Sequence, residues 1–308
     1  MTSFLAAAIV AATPLLFATV GELIMEKSGS LNLGVEGMML MGAIAGFVGA
    51  AGSQNAGVAL LSAFAAGAGG ALIFAFLTVT LRANQVVTGL TLTIFGTGVT
   101  KFIGNAYMGQ SVPGPVRAFF AKTAVPGLSD IPFIGDVFFK QDIFIYIGYA
   151  VVALATVFLF KTRGGLNLRA VGENASAADA TGINVAFVRY MACVVGGGLC
   201  GLGGGYLGIV YVPMWQVDVV NGRGWIAVAL VIFSAWNPIK AFAGSLLFGA
   251  LAILGFTLQL MEVSISQYLV DMFPYIAAIV VVIISTHRNM KEDLPPMNLS
   301  VPYFREDR

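Results

Sequence analysis

The chain has 308 residues, of which only 16 are Lys or Arg and 15 are Asp or Glu. Charged residues make up 10% of it, against about 25% in an ordinary soluble domain. Hydrophobic residues reach 58%, and no charge occurs from Gly37 through Leu81. A soluble core cannot bury such a run. The composition therefore excludes soluble enzymes, and a net charge of +1 gives no basic surface for nucleic acid.

The apolar runs predict an all-α, polytopic membrane protein with about nine transmembrane helices, within a range of about eight to ten. Residues 279–284 are apolar at every position, unlike the alternating pattern of a barrel strand, so the spans do not require strands. Pro14 and Pro274 lie inside predicted spans and are expected to kink them. The candidate spans are residues 3–25, 35–52, 57–80, 85–104, 142–161, 186–212, 223–236, 240–260 and 268–286.

The distribution of Lys and Arg predicts the orientation of these spans. Basic residues concentrate on the cytoplasmic side of membrane proteins, and a basic C-terminal tail inside places eleven of the sixteen there. The N-terminus is then outside. We expect a transmembrane domain of residues 1–286, with an outer loop 105–141 and a cytoplasmic loop 163–185, and a mobile cytoplasmic tail 287–308. The proline-rich outer loop is either a spacer or a docking surface.

A glycine-rich segment predicts close helix packing in the sixth span. Eight of the thirteen residues from 196 to 208 are glycine, and Gly197, Gly201 and Gly205 share one helix face. Small residues at such positions let membrane helices approach closely. The G-x-G-x-x-G match at 196–201 lacks the strand and soluble unit that a dinucleotide site requires, and the chain has no P-loop motif. One histidine and two cysteines cannot build the usual zinc or iron–sulfur sites, so no metal site is predicted.

The cytoplasmic loop is predicted to hold a short helix. Asn174 is a plausible N-cap, an alanine-rich run follows it, and Gly182 fits the position after a helix end. A helix of about seven residues is only about 10 Å long and is unstable alone in water. Either the transmembrane bundle or a cytoplasmic partner must therefore hold it.

Three segments carry a resemblance to a known family. They are GELIMEKSGSLNLGVEGMM at 21–39, residues 169–184, and GRGWIA at 222–227 with Trp236-Asn237-Pro238. They resemble permease subunits of bacterial ABC importers, in particular the nucleoside and simple-sugar group related to the ribose and branched-chain amino acid permeases. The resemblance covers nearly the whole chain. It implies a transport subunit of the bacterial plasma membrane, not an enzyme.

The resemblance also implies partners. Ala175 to Thr181 would be the coupling helix, which sits in a groove of a cytoplasmic ATPase and transmits its closure. That ATPase would bind ATP and Mg, so no cofactor is expected in this chain. A second, longer permease forming a heterodimer and an extracellular solute-binding lipoprotein are implied as well. The residues expected to couple to the ATPase are Arg169, Gly172, Glu173, Asn174, Ala175, Ala178, Asp179, Gly182 and Asn184.

Polar residues on the fourth span suggest a translocation path, because each is costly in lipid unless it packs inside or meets water. Asn84, Thr88 and Thr91 follow helical spacing, with Gln85 and Phe95 beside them. A second stripe comprises Thr93, Thr97 and Thr100. Two alternatives remain: the threonines bond their own preceding carbonyls, and Asn84 and Gln85 lie at the cytoplasmic mouth.

The segment 222–236 is about 22 Å long as a helix, too short to cross a core of about 30 Å. A discontinuous helix is therefore expected, and its first N–H groups suit a polar substrate near the midplane. Asn221, Gly222 and Gly224 join the predicted path on this ground. The alternative is an interfacial helix end with Arg223 reaching outward.

The acidic residues closest to the spans are Glu22, Glu36 and Asp271, for which structural roles are expected. Together with the resemblance, the small number of charges in the spans predicts a permease subunit that moves a neutral polar solute inward. A nucleoside is the first candidate, and a partner would hydrolyse the ATP. One alternative is an ion-driven secondary transporter, for which Glu22 is the candidate carboxylate. Another is the same ABC role for a simple sugar, a flavin or an amino acid.

Overall fold

The computed structural model describes residues 2–260, separate positions between 269 and 283, and residues 294–306. Nearly all of its regular structure is helical. The first helices are α1 (Thr2–Lys27), α2 (Val35–Ser53), α3 (Ala56–Ala75, extended by a π-helical turn Phe76–Thr80) and α4 (Gln85–Gly104). Then come α5 (Gly114–Phe119), β1 (Thr123–Ala124), α6 (Ile134–Phe138), β2 (Lys140–Gln141), α7 (Ile143–Lys161), α8 (Arg163–Glu173) and α9 (Ala175–Ala180). The last are α10 (Val185–Tyr206, extended by a π-helical turn Leu207–Tyr211), α11 (Arg223–Phe233) and α12 (Pro238–Leu260).

Seven helices in the described part of the chain are long and apolar enough to cross a membrane. They coincide with seven of the nine predicted spans, which confirms an all-α polytopic membrane protein. The eighth predicted span, 223–236, corresponds to the short helix α11. Most of the ninth, 268–286, lies outside the described residues, as does Asp271.

The glycine-rich helix α10 occupies the centre of the bundle, against α1, α2 and α3. A Cβ built on Gly67 of α3 would lie 2.2 Å from the Gly197 carbonyl oxygen, and one built on Gly201 would lie 2.3 Å from the Ala63 carbonyl oxygen. A Cβ on Gly205 would lie 2.7 Å from that of Ala63. The predicted close approach along one face of α10 is therefore confirmed. We call Gly67, Gly197, Gly201 and Gly205 the glycine seam.

The predicted outer loop 105–141 is folded. It contains α5, α6 and a two-stranded antiparallel sheet in which Thr123 pairs with Gln141. Each strand has only two residues, so the all-α class is unchanged. The loop packs on the chain after α10, where the Trp215 N–H donates to the Gln110 carbonyl at 2.9 Å. At its end, Asp142 caps α7 and accepts from the Tyr206 hydroxyl at 3.0 Å.

Candidate coupling surface and translocation path

The short helix α9 has the ends that the sequence predicts. The Asn174 side chain accepts from the Ala177 N–H at 2.9 Å, and Gly182 takes a positive φ of 88° after the last turn. Asn184 caps the next helix in the same way by accepting from the Phe187 N–H at 2.9 Å. These side-chain oxygens satisfy amide groups that a helix start leaves without partners. The predicted N-cap and stop are confirmed.

One face of α9 is buried and the other is exposed. Ala175 and Ala178 are 0% and 4% exposed, in an apolar cluster with Val171 and Val185. The protein itself therefore holds the helix, through contacts with α8 and the start of α10. The exposed positions of α9 and its C-cap are Ser176, Ala177, Ala180 and Thr181. These positions, which the predicted coupling set omits, form the surface that another protein can contact.

The C-terminal segment 294–306 packs beside α9. The Tyr303 ring joins the apolar cluster, and its hydroxyl donates to Asp179 at 2.8 Å. The Arg305 Nε lies 3.4 Å from the same carboxylate. The sequence predicts a mobile tail at 287–308. In the structure, residues 294–306 of that tail are packed on the bundle, where one aromatic ring and several long-range hydrogen bonds hold them.

Other members of the predicted coupling set connect α8 to its surroundings. A Cβ on Gly172 would lie 2.2 Å from the Lys27 carbonyl oxygen, so only glycine allows α8 to pass the end of α1 this closely. Glu173 is exposed and accepts from the Met297 N–H at 3.4 Å. The Arg169 guanidinium lies over the Phe160 ring, 5.5 Å from its centroid.

The predicted path residues of α4 fall into two groups. Asn84 caps α4, and Gln85 is buried and accepts from the Leu31 N–H at 2.7 Å, so both stabilise local structure. Thr88, Thr91 and Phe95 line one cavity of about 350 Å³ between α4 and the end of α3. The hydroxyls of both threonines donate to carbonyls four residues earlier. Both hydroxyls are used by their own helix, and the surface of the cavity is apolar.

The start of α11 is held by a carboxylate from a distant helix. The Gly222 and Gly224 N–H groups donate to the two oxygens of Glu36, at 2.8 and 2.7 Å. A carboxylate is favourable there because the first N–H groups and the dipole of a helix attract negative charge. The helix is short, with 11 residues, as its sequence predicts. In this structure its first N–H groups bind Glu36, so a substrate would have to compete for them, and Asn221 is exposed beside them.

Replacing Glu36 with alanine is expected to destabilise the bundle, since two N–H groups at the start of α11 lose their acceptor. An unsatisfied buried donor costs about 1–3 kcal/mol. Glu36→Gln keeps one acceptor oxygen and should be milder. Thermal unfolding of the purified protein in nanodiscs measures both, and equal stability of Glu36→Ala and wild type would contradict this role.

A second long-range contact joins α1 to the turn before α12. The Trp236 Nε1 donates to Glu26 at 2.6 Å, and Lys27 lies 5.9 Å from the Trp236 ring centroid. Glu22 accepts from the Asn32 N–H at 3.0 Å. Both carboxylates are fully buried and hydrogen-bonded, which supports structural roles. Sequence reasoning missed the Trp236 contact because no local pattern joins residues so far apart.

The chain matches over residues 4–284 the protein family described as the permease component of branched-chain amino acid transport systems. The chain belongs to this permease family. It is 36% identical to a guanosine ABC transporter permease of Bacillus subtilis, over 98% of this chain and 96% of that protein. It is also 36% identical to a nucleoside ABC transporter permease of Lactococcus lactis subsp. cremoris, over 87% of each chain.

A third relative is a putative glucose ABC transporter permease of Haloferax volcanii, 40% identical over 80% of this chain and 74% of that protein. No solved structure matches the permease. The family and the apolar helices make the chain a multi-pass plasma-membrane subunit of an ABC transporter. It is a transport component and not an enzyme, and it works with an ATPase and a solute-binding protein.

Proposed function

We propose that this permease carries nucleosides inward as one half of a heterodimer with a second, longer permease. The observation that carries the substrate is the nearly full-length correspondence with the guanosine permease, joined by the nucleoside permease. The putative glucose permease has a higher sequence identity to this chain but matches a smaller part of it, so a simple sugar is the second candidate substrate. A neutral solute suits a chain with so few charges in its spans.

We assign α9 as the coupling helix. Its buried face packs against α8 and the start of α10. Its exposed face has small side chains, so it can fit into a groove of the ATPase. Closure of the ATPase would push α9, and the paired permeases would switch the side to which their shared cavity opens. ATP and Mg would bind that ATPase.

We also propose that the N-terminus lies outside the cell and that α9 and the C-terminal segment lie in the cytoplasm. The Gln141 amide of the outer loop lies 3.5 Å from the Ala6 carbonyl near the start of α1. The C-terminal segment and α9 meet at Tyr303 and Asp179 on the other side. Both contacts agree with the excess of Lys and Arg proposed for the cytoplasmic side.

Uptake of labelled guanosine, adenosine and uridine tests the substrate, in cells that carry the complete transporter and lack other nucleoside carriers. We expect saturable uptake that unlabelled nucleosides inhibit and glucose does not. A matched strain with a catalytically inactive ATPase should show none. Inhibition by glucose would make the permease a sugar carrier, and uptake with the inactive ATPase would favour an ion-driven transporter.

The cavity beside α4 is our proposed part of the translocation path. Thr88 lines this cavity, and Thr88→Val removes the hydroxyl that donates to the Asn84 carbonyl, so we expect nucleoside uptake to fall several-fold, by about 1 kcal/mol for a lost hydrogen bond. Thr100→Val is the matched control, because its buried hydroxyl has no hydrogen-bond partner among the described residues. Equal initial uptake rates for the two variants would count against this path.

A further inference from the structure

The C-terminal segment 294–306 contacts every element around α9. Its Asn298 N–H donates to the Gly172 carbonyl of α8 at 2.9 Å, and its Ser300 N–H donates to the Gly29 carbonyl after α1 at 3.1 Å. Its Val301 carbonyl accepts from Arg189 of α10 at 3.2 Å. A single peptide segment therefore joins α8, α10 and the end of α1.

The end of the segment reaches the link between α3 and α4. Glu306 lies 3.6 Å from the Arg82 guanidinium, which also stacks over the Phe304 ring at 4.4 Å from its centroid. The Glu306 pair is exposed and contributes little. Together with the bond from Tyr303 to Asp179, these contacts connect α9 to four parts of the bundle.

The C-terminal segment also supplies a hydrogen-bond acceptor to a buried charged residue, Arg189. Its side chain is 1% exposed, and the Val301 carbonyl is its hydrogen-bond acceptor in the described structure. Its Nε and Nη2 atoms have no partner among the described residues. Removing the segment would leave this buried guanidinium without that acceptor, and a buried charge without hydrogen bonds is costly.

We infer that Tyr303 is a positioning residue for coupling: through Asp179 it fixes α9 to the bundle, so that force on α9 reaches α8, α10 and the end of α1. This rests on the proposed role of α9. The link needs no contact between Tyr303 and ATP or solute. Because α9 has only six residues and is unstable alone, its stiffness depends on such anchors.

The test uses the complete transporter in nanodiscs and proteoliposomes, with Tyr303→Phe, Asp179→Ala and the double variant. Tyr303→Phe keeps the ring in the apolar cluster and removes only the hydroxyl. Tyr190→Phe is the matched control, because its hydroxyl contacts Thr80 at 2.5 Å and not the segment. A chain ending at Asp293 retains all the predicted spans and measures the effect of removing the whole C-terminal segment.

Hydrogen exchange of the amides at 175–182 is the first readout and needs no substrate. We expect exchange about fivefold faster in Tyr303→Phe, the factor equivalent to about 1 kcal/mol, and unchanged in Tyr190→Phe. The double variant should exchange no faster than the Asp179 variant alone, because replacing Asp179 already removes the bond from Tyr303 together with the Arg305 pair. Exchange at the wild-type rate in Tyr303→Phe, or fully multiplicative effects, would overturn the inference.

The second readout is guanosine transported per ATP hydrolysed. A lower amount of folded protein reduces both rates and leaves this ratio unchanged, whereas loss of positioning lowers the ratio several-fold. An unchanged ratio in both Tyr303→Phe and the shortened chain would refute a role in coupling. If the wild-type transporter carries no guanosine, the proposed substrate is wrong, and hydrogen exchange still decides whether Tyr303 fixes α9.

Discussion

Replacing Ala177 with arginine is expected to abolish ATP-driven uptake while the permease remains folded in the membrane. Ala177 is on the exposed face of α9, so a long charged side chain meets no part of its own bundle. It would fill the space that the proposed ATPase groove needs. We expect uptake at background level and loss of the ATPase when the permease is purified with its partners.

Ala177→Ser is the matched control, since it keeps a small side chain at the same position and should retain uptake. Ala178→Arg is a second comparison, at a buried position of the same helix. Ala178 is 4% exposed inside the apolar cluster, so arginine there should reduce the amount of folded protein. Normal uptake and ATPase retention in Ala177→Arg would show that α9 is not the coupling helix.

The second large effect is expected along the glycine seam. Gly67→Ala would place a methyl group 2.2 Å from the Gly197 carbonyl oxygen, where backbone and not a flexible side chain must move. Such overpacking costs about 1–3 kcal/mol and sometimes more. Because α3 and α10 meet along several such contacts, we expect a low yield of folded permease and an earlier thermal transition in nanodiscs.

Gly69→Ala on the same helix separates packing from helix propensity. A Cβ at Gly69 meets nothing within 4 Å. Alanine there should be neutral or stabilise α3 by up to about 1 kcal/mol. Similar unfolding temperatures for the two variants would mean that α3 and α10 do not pack as closely in the membrane as described.

Local patterns predict the parts of this structure that depend on nearby residues. The seven long spans follow from runs of apolar residues, and the ends of α9 follow from Asn174 and Gly182. The close face of α10 follows from glycines four residues apart. Each depends on physics that acts within a few turns of helix.

Contacts between distant segments were not predictable in the same way. Glu36 gives no local sign that it binds α11, and Tyr303 gives none that it binds Asp179, since each pair is separated by more than a hundred residues. The predicted coupling set also includes Ala175 and Ala178, because a sequence shows that a helix is rich in alanine but not which alanines face inward. Only the packed bundle decides that.

The contact between Glu36 and α11 has a consequence for how the chain is made. Glu36 and Gly222 are 186 residues apart. A ribosome adds about 5–20 residues per second, so roughly 10 to 40 seconds pass between their synthesis. During that interval α11 does not exist to donate its two N–H groups, so this link between α2 and α11 forms only after most of the polypeptide has been synthesised.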